Sequence, residues 1–129
     1  MSKERRGTLG SSFRYAFAGI FTCLKNERNI RIHFGMAALV VAAGFILQIS
    51  ALEWCICLGL FGLVMGLELM NTAIEAVVDL VTLEKKPLAK IAKDTAAGAV
   101  LIAAIMSAAA GLIIFLPKGI VWIGGFFGG

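Results

Sequence analysis

Apolar positions along this chain follow two patterns. Phe13, Phe17, Ile20, Phe21 and Leu24 recur at helical spacing, with Arg14 and Lys25 flanking the stripe. This period predicts an amphipathic helix, capped by Ser11 or Ser12 and beginning near Phe13. Such a helix suits the plane of a membrane interface with its apolar side down, although packing on other helices would give the same stripe. Further along, the pattern changes to blocks: Met36 to Ile49, Trp54 to Leu67 and Thr95 to Pro117 hold no charged residue. A helix needs about 20 residues to cross a bilayer. The expected spans therefore cover roughly 33–49, 54–81 and 93–116, the first two drawing in polar flanks. Pro87 falls in a basic loop, Thr82 to Ala92, and Pro117 is expected to stop the last helix. The Gly-rich tail 118–129 receives no assignment.

Composition strengthens the membrane reading. Of 129 residues, 60% are hydrophobic, against about half in an average soluble domain. The expectation is one all-α membrane unit over 1–129, with 1–32 cytoplasmic or interfacial. Lys3, Arg5 and Arg6 precede a Gly/Ser/Thr-rich stretch, which does not read as a cleaved signal peptide. Cys23, Cys55 and Cys57 are odd in number and apolar in setting, which excludes a disulfide framework. Cys55 and Cys57 read as buried, inert thiols. Seven of the twelve Lys/Arg precede His33, four lie between Lys85 and Lys93, and Lys118 follows the third span. Since Lys and Arg mark the cytoplasmic side, the N-terminus and second loop are expected inside the cell and the C-terminus outside. Membrane topology accounts for the basic residues, and no nucleic acid is expected as a partner.

The informative feature is the string Glu68-Leu-Met-Asn71-Thr72-Ala-Ile-Glu75-Ala-Val-Val-Asp79. At about 100° per residue, Asn71 lies roughly 60° to one side of Glu68, and Glu75 and Asp79 about 20° to either side. These polar side chains form one narrow stripe about 16 Å long, and apolar residues cover the rest of the helix. Each carboxylate costs roughly 2.5 to 3.5 kcal/mol near a membrane-helix centre. A helix-packing seam needs one polar residue, not three acids at increasing depth.

Carboxylates near the inner surface are hard oxygen ligands suited to Mg²⁺, which binds one or two carboxylates together with substrate phosphates. Glu27 sits at a similar depth. Lys93-Asp94 offers a cation for a nucleotide phosphate and a further acid, and Glu84-Lys85-Lys86 lies in the adjoining loop. The deepest carboxylate, Glu68, is closest to where a lipid hydroxyl would reside and suits the acceptor of its proton. Neither a Gly-rich phosphate loop nor a protein-kinase signature is present. Spacing alone therefore reaches no further than a metal- or proton-handling membrane protein.

Glu68-x-x-Asn71-x-Ala73-Ile74-Glu75-Ala76-x-x-Asp79, with Ala92-Lys93-Asp94 followed by Ala96-Ala97-x-Ala99-Val100-Leu101, resembles the prokaryotic diacylglycerol kinase family. Asn26-Glu27 also falls where that family has its metal-binding glutamate. The resemblance covers about Tyr15 to Leu116. It implies a homotrimer, each protomer having an interfacial N-terminal helix and three membrane helices, with active sites between neighbours. It implies ATP as co-substrate, Mg²⁺ as cofactor and a lipid alcohol as acceptor. Glu68 matches the catalytic base, and Glu27 and Glu75 match the metal ligands. Tyr15, Asn71, Asp79, Glu84, Lys85, Lys86, Lys93 and Asp94 match nucleotide-contacting positions.

Asn26-Glu27-Arg28-Asn29-Ile30-Arg31-Ile32-His33 looks like the Gram-positive branch, whose members phosphorylate undecaprenol. The expected activity is therefore an undecaprenol kinase, with diacylglycerol kinase as the alternative. Arg14 is out of register with the nucleotide-contacting arginine of the Gram-negative branch, and the tail from Ile120 lies outside the resemblance. From another class, a small cation or proton carrier would use the same acidic stripe. Its path should continue outward, yet Trp54 to Gly66 holds no polar side chain beyond the two cysteines. Gly59, Gly62 and Gly66, and the small residues Ala103, Ala104, Ser107, Ala108 and Gly111, read as helix-packing positions. Trp54 and Trp122 fit an outer aromatic belt. His33 reads as an interfacial or phosphate-facing residue more readily than as a metal ligand.

Overall fold

Helix-forming sequence carries through almost the whole protein, broken at three short turns. The structure is a computed structural model describing residues 7–128; Lys3, Arg5, Arg6 and Gly129 lie outside the described residues. The helices are α1 (Leu9–Asn26), α2 (Arg28–Ile46), α3 (Ala51–Val81) and α4 (Pro87–Phe127). The all-α class is as expected, and α2, α3 and α4 are long and apolar enough to cross a membrane.

Helix α1 starts a turn earlier than the Ser11/Ser12 cap implies. The Thr8 hydroxyl accepts from Ser11 N–H at 3.3 Å and caps the helix, while the Ser11 hydroxyl donates back to the Thr8 carbonyl at 2.7 Å. Only Glu27 separates α1 from α2. Its backbone is extended, with φ −106° and ψ 119°, and its N–H donates to the Cys23 carbonyl. Helix α2 therefore begins at Arg28, ahead of the expected span at 33. Apolar length locates a bilayer boundary, but nothing in Arg28 to Ile32 breaks a helix.

The α2–α3 turn is a Schellman-type stop. Gln48 takes φ 51°, and Ile49 N–H donates to the Gly44 carbonyl at 3.1 Å. A Cβ on Gly44 would lie 2.7 Å from the Trp54 ring, so only glycine lets that indole close over α2. Trp54 also meets Phe45, with ring centroids 5.0 Å apart. Helix α3 opens on a capping box: Glu53 N–H donates to Ser50 Oγ, and Ser50 N–H donates to Glu53 Oε1. Lys118 Nζ of α4 lies 3.3 Å from the same carboxylate oxygen and ties α4 to this end of α3.

Both prolines behave differently from expectation. Pro87 opens α4 as its first helical residue, where its missing N–H has no intrahelical partner to lose and its φ is already suitable. Helix α4 then runs through Pro117 to Phe127, so the third span does not end at 116 and most of the tail 118–129 is helical. Membrane helices tolerate proline where neighbouring groups compensate the broken bond. Here α4 stays packed on α3, with the Lys118–Glu53 pair one residue past the proline.

The core is small. Ile30 is 1% and Ala103 3% exposed, while large apolar residues such as Leu39, Phe45 and Ile113 face outward, as lipid-facing residues would. Cys55 is exposed, against the expectation of a buried thiol. A Cβ on Gly59, Gly62 or Gly66 would meet nothing within 4 Å, so these glycines make no close approach inside the chain.

Candidate active site

Three helices build the environment of Glu68. Cys23 of α1, Ile30 of α2 and Met65 of α3 form a buried apolar cluster, with Leu24, Phe61 and Leu69 packed against it. Leu24 thus turns the end of the α1 stripe inward, while Phe13, Phe17 and Phe21 stay exposed. One turn beyond Met65, Glu68 is 4% exposed, the one buried charged residue among those described. A carboxylate so placed requires a polar partner, and α2 supplies it: His33 Nε2 lies 3.1 Å from Glu68 Oε1. His33 itself is partly open. The Thr72 hydroxyl donates to the Glu68 backbone carbonyl at 3.1 Å, so it does not serve the carboxylate.

The stripe continues from Glu68 toward the α3–α4 turn. Asn71 Nδ2 donates to Glu75 Oε1 at 3.4 Å, which points the amide oxygen away. That oxygen, Asn71 Oδ1, is buried and without a hydrogen-bond partner. A buried orphan acceptor beside a carboxylate matches the oxygen donors that Mg²⁺ takes. Among the described residues no three His, Cys, Asp or Glu side chains converge to hold a metal by themselves. An ion held by Asn71 Oδ1 and Glu75 would complete its shell with phosphate oxygens and water.

Further along, Lys93 Nζ of α4 lies 2.6 Å from Asp79 Oδ1 of α3. Lys90 pairs with Asp94 one turn away on α4, and in the connecting turn Lys86 lies 3.7 Å from Glu84. Lys85 is exposed beside them. The structure thus lines Glu68, Asn71, Glu75 and Asp79 along α3, with Lys93 of α4 joined at Asp79 and Glu84, Lys86 and Asp94 near the α3–α4 turn. Two further expected residues belong to α1 and its C-terminal cap. Tyr15 is exposed on α1, with the Arg14 guanidinium 5.4 Å over its ring. Glu27 is half-buried at the α1–α2 break.

Sequence reasoning treats His33 as an interfacial group and misses its pairing with Glu68. The available signal is its place at the end of the polar run leading into α2; its register against α3 is a tertiary fact. Exposure grows along the stripe, from buried Glu68 through half-buried Asn71 and Glu75 to exposed Asp79. A surface cleft of about 600 Å³, lined by Ile46, Gln48, Pro117, Lys118 and Trp122 among others, lies at the opposite end and includes none of these residues. Chemically, the arrangement offers a buried carboxylate for a proton, oxygen donors for a hard cation, and a lysine for an anion.

The profile of the family described as prokaryotic diacylglycerol kinase matches residues 14–115. The undecaprenol kinase of Bacillus subtilis is 47% identical over 120 residues, covering 91% of this chain and 98% of that protein. A diacylglycerol kinase of Synechocystis is 46% identical over 107 residues, 82% of this chain but 61% of that longer protein. The diacylglycerol kinase of Pseudomonas aeruginosa is 34% identical over 89 residues, 69% of this chain and 72% of its own.

Proposed function

The chain belongs to the prokaryotic diacylglycerol kinase family, and on that premise we propose that it transfers the γ-phosphoryl group of ATP to the hydroxyl of membrane-embedded undecaprenol, giving the monophosphate. That it is a lipid kinase with three membrane-spanning helices, using ATP, follows from the family and the fold. The observation that carries the substrate is the 47% identity with the Bacillus undecaprenol kinase across 98% of that protein's length. The second reading, a diacylglycerol acceptor, is supported by the identity to the diacylglycerol kinases. A cation or proton carrier no longer needs to be invoked, because the family is one of lipid kinases.

Glu68 takes the proton from the lipid hydroxyl as that oxygen attacks the γ-phosphorus, and the bond from the γ-phosphorus to the bridging oxygen breaks to release ADP. Its depth supports this role, because the hydroxyl of a membrane lipid approaches from the apolar side. Asn71 and Glu75, with Glu27 from the α1–α2 break, are the proposed ligands for Mg²⁺, which when bound would neutralise phosphate charge. Lys93, held at Asp79, faces the phosphates. Asp94, the Glu84-Lys85-Lys86 turn and Tyr15 complete the nucleotide side.

The assembly is a homotrimer with sites between protomers. The exposure of the stripe at Asp79 supports a neighbouring protomer there, and the uncovered glycines on the other face of α3 leave room for a further helix contact. Helix α1 lies in the interface on its exposed phenylalanines. The N-terminus and the α3–α4 turn face the cytoplasm and the C-terminus faces outside, by the distribution of Lys and Arg. Residues 1–129 act as one kinase unit. Purified protein supplied with ATP and Mg²⁺ in mixed micelles should phosphorylate undecaprenol with a higher kcat/KM than diacylglycerol; the reverse order would replace the acceptor and keep the kinase.

A further inference from the structure

We infer that His33 is a positioning residue for the reaction: it holds the Glu68 carboxylate by one oxygen and leaves the other directed to the lipid hydroxyl. This rests on Glu68 acting as the base. A glutamate head group turns about several single bonds, and apolar neighbours such as Met65 and Leu69 exclude water without orienting it. An unoriented base wastes the proximity on which the step depends.

Every other polar side chain near Glu68 on the stripe is engaged elsewhere. The Thr72 hydroxyl is bound to the Glu68 backbone carbonyl, the Asn71 amide reaches Glu75, and Lys93 is on Asp79. That leaves His33 Nε2, 3.1 Å from Oε1, as the described polar contact of the carboxylate. It comes from a different helix, so the contact also fixes α2 against α3 at the depth of the reaction. The side chains are 25% and 5% exposed respectively. His33 is thus the more exposed member of the pair and Glu68 the buried one.

The test uses two polar, uncharged replacements that differ in reach. In His33→Gln the amide nitrogen falls near the position of Nε2 and meets Oε1; in His33→Asn it falls one bond short. Turnover of His33→Asn at saturating ATP and lipid should drop by about 10- to 100-fold, the scale of a roughly 1 Å misplacement, with both KM values little changed. His33→Gln should recover most of that loss. Melting temperatures of the two variants in detergent should agree, which separates positioning from a general loss of fold. Equal turnover in the two variants, fast or slow, would overturn the inference, as would a loss confined to KM. Glu68→Gln is measured alongside. If it turns over normally, the base assignment itself fails; if it is inactive while His33→Asn is normal, only the role of His33 fails.

Discussion

Lys93 of α4 reaches across to Asp79 of α3, with Nζ 2.6 Å from Oδ1, and so pins the two longest helices together beside the turn that joins them. Both side chains keep substantial exposure, so the pair is partly solvated and contributes little to stability. Its consequence is directional: the ammonium is parked next to the acidic stripe rather than free in solvent.

If Lys93 meets a phosphate of ATP, Lys93→Met should raise the KM for ATP by roughly 10- to 100-fold, the equivalent of one charge-assisted hydrogen bond, and leave the lipid KM near its starting value. Steady-state kinetics with each substrate varied in turn would check this. An unchanged KM for ATP would return Lys93 to a purely structural role.

Glu68→Gln preserves shape while removing the proton acceptor. Turnover should fall by about 10² to 10⁴-fold, and the protein should still insert and extract from membranes like the parent. Phosphotransfer rates on purified, correctly folded variant would decide the point.

Replacing Glu75 or Glu27 by Gln should raise the Mg²⁺ concentration needed for half-maximal activity, because each change removes one anionic oxygen donor. Asn71→Ala should do the same for the orphaned Oδ1. Titrating activity against free Mg²⁺ at fixed ATP measures the effect. Wild-type metal response in all three variants would place the ion elsewhere.

A stability prediction comes from the opposite end of the molecule. Gly44→Ala puts a methyl 2.7 Å from the rigid Trp54 ring, an overpacking expected to cost about 1 to 3 kcal/mol. The melting temperature in detergent should fall, and Gly44→Ala combined with Trp54→Leu should recover part of the loss. A melting temperature unaffected by Gly44→Ala would mean the α2–α3 turn accommodates the methyl.

Much of the molecule is written in local chemistry. The uncharged blocks Met36 to Ile49, Trp54 to Leu67 and Thr95 to Pro117 determine three membrane helices, because a charge in hydrocarbon is costly wherever the rest of the chain lies. The spacing of Glu68, Asn71, Glu75 and Asp79 places them on one face, because helical period is independent of context. Helix ends were less legible. Hydropathy shows where lipid begins, and α2 and α4 run past that point through Arg28 to Ile32 and through Pro117. Arg28 to Ile32 hold nothing that breaks a helix, and past Pro117 the packing of α4 on α3 carries the helix on. The tertiary structure alone decided which groups meet across helices. His33 pairs with Glu68, and Lys118 with Glu53, each across a separation far longer than any helical period. Only the register of α2 on α3 brings the imidazole to 3.1 Å from the carboxylate, because that register is set by the packing of Cys23, Ile30 and Met65, which no local pattern encodes.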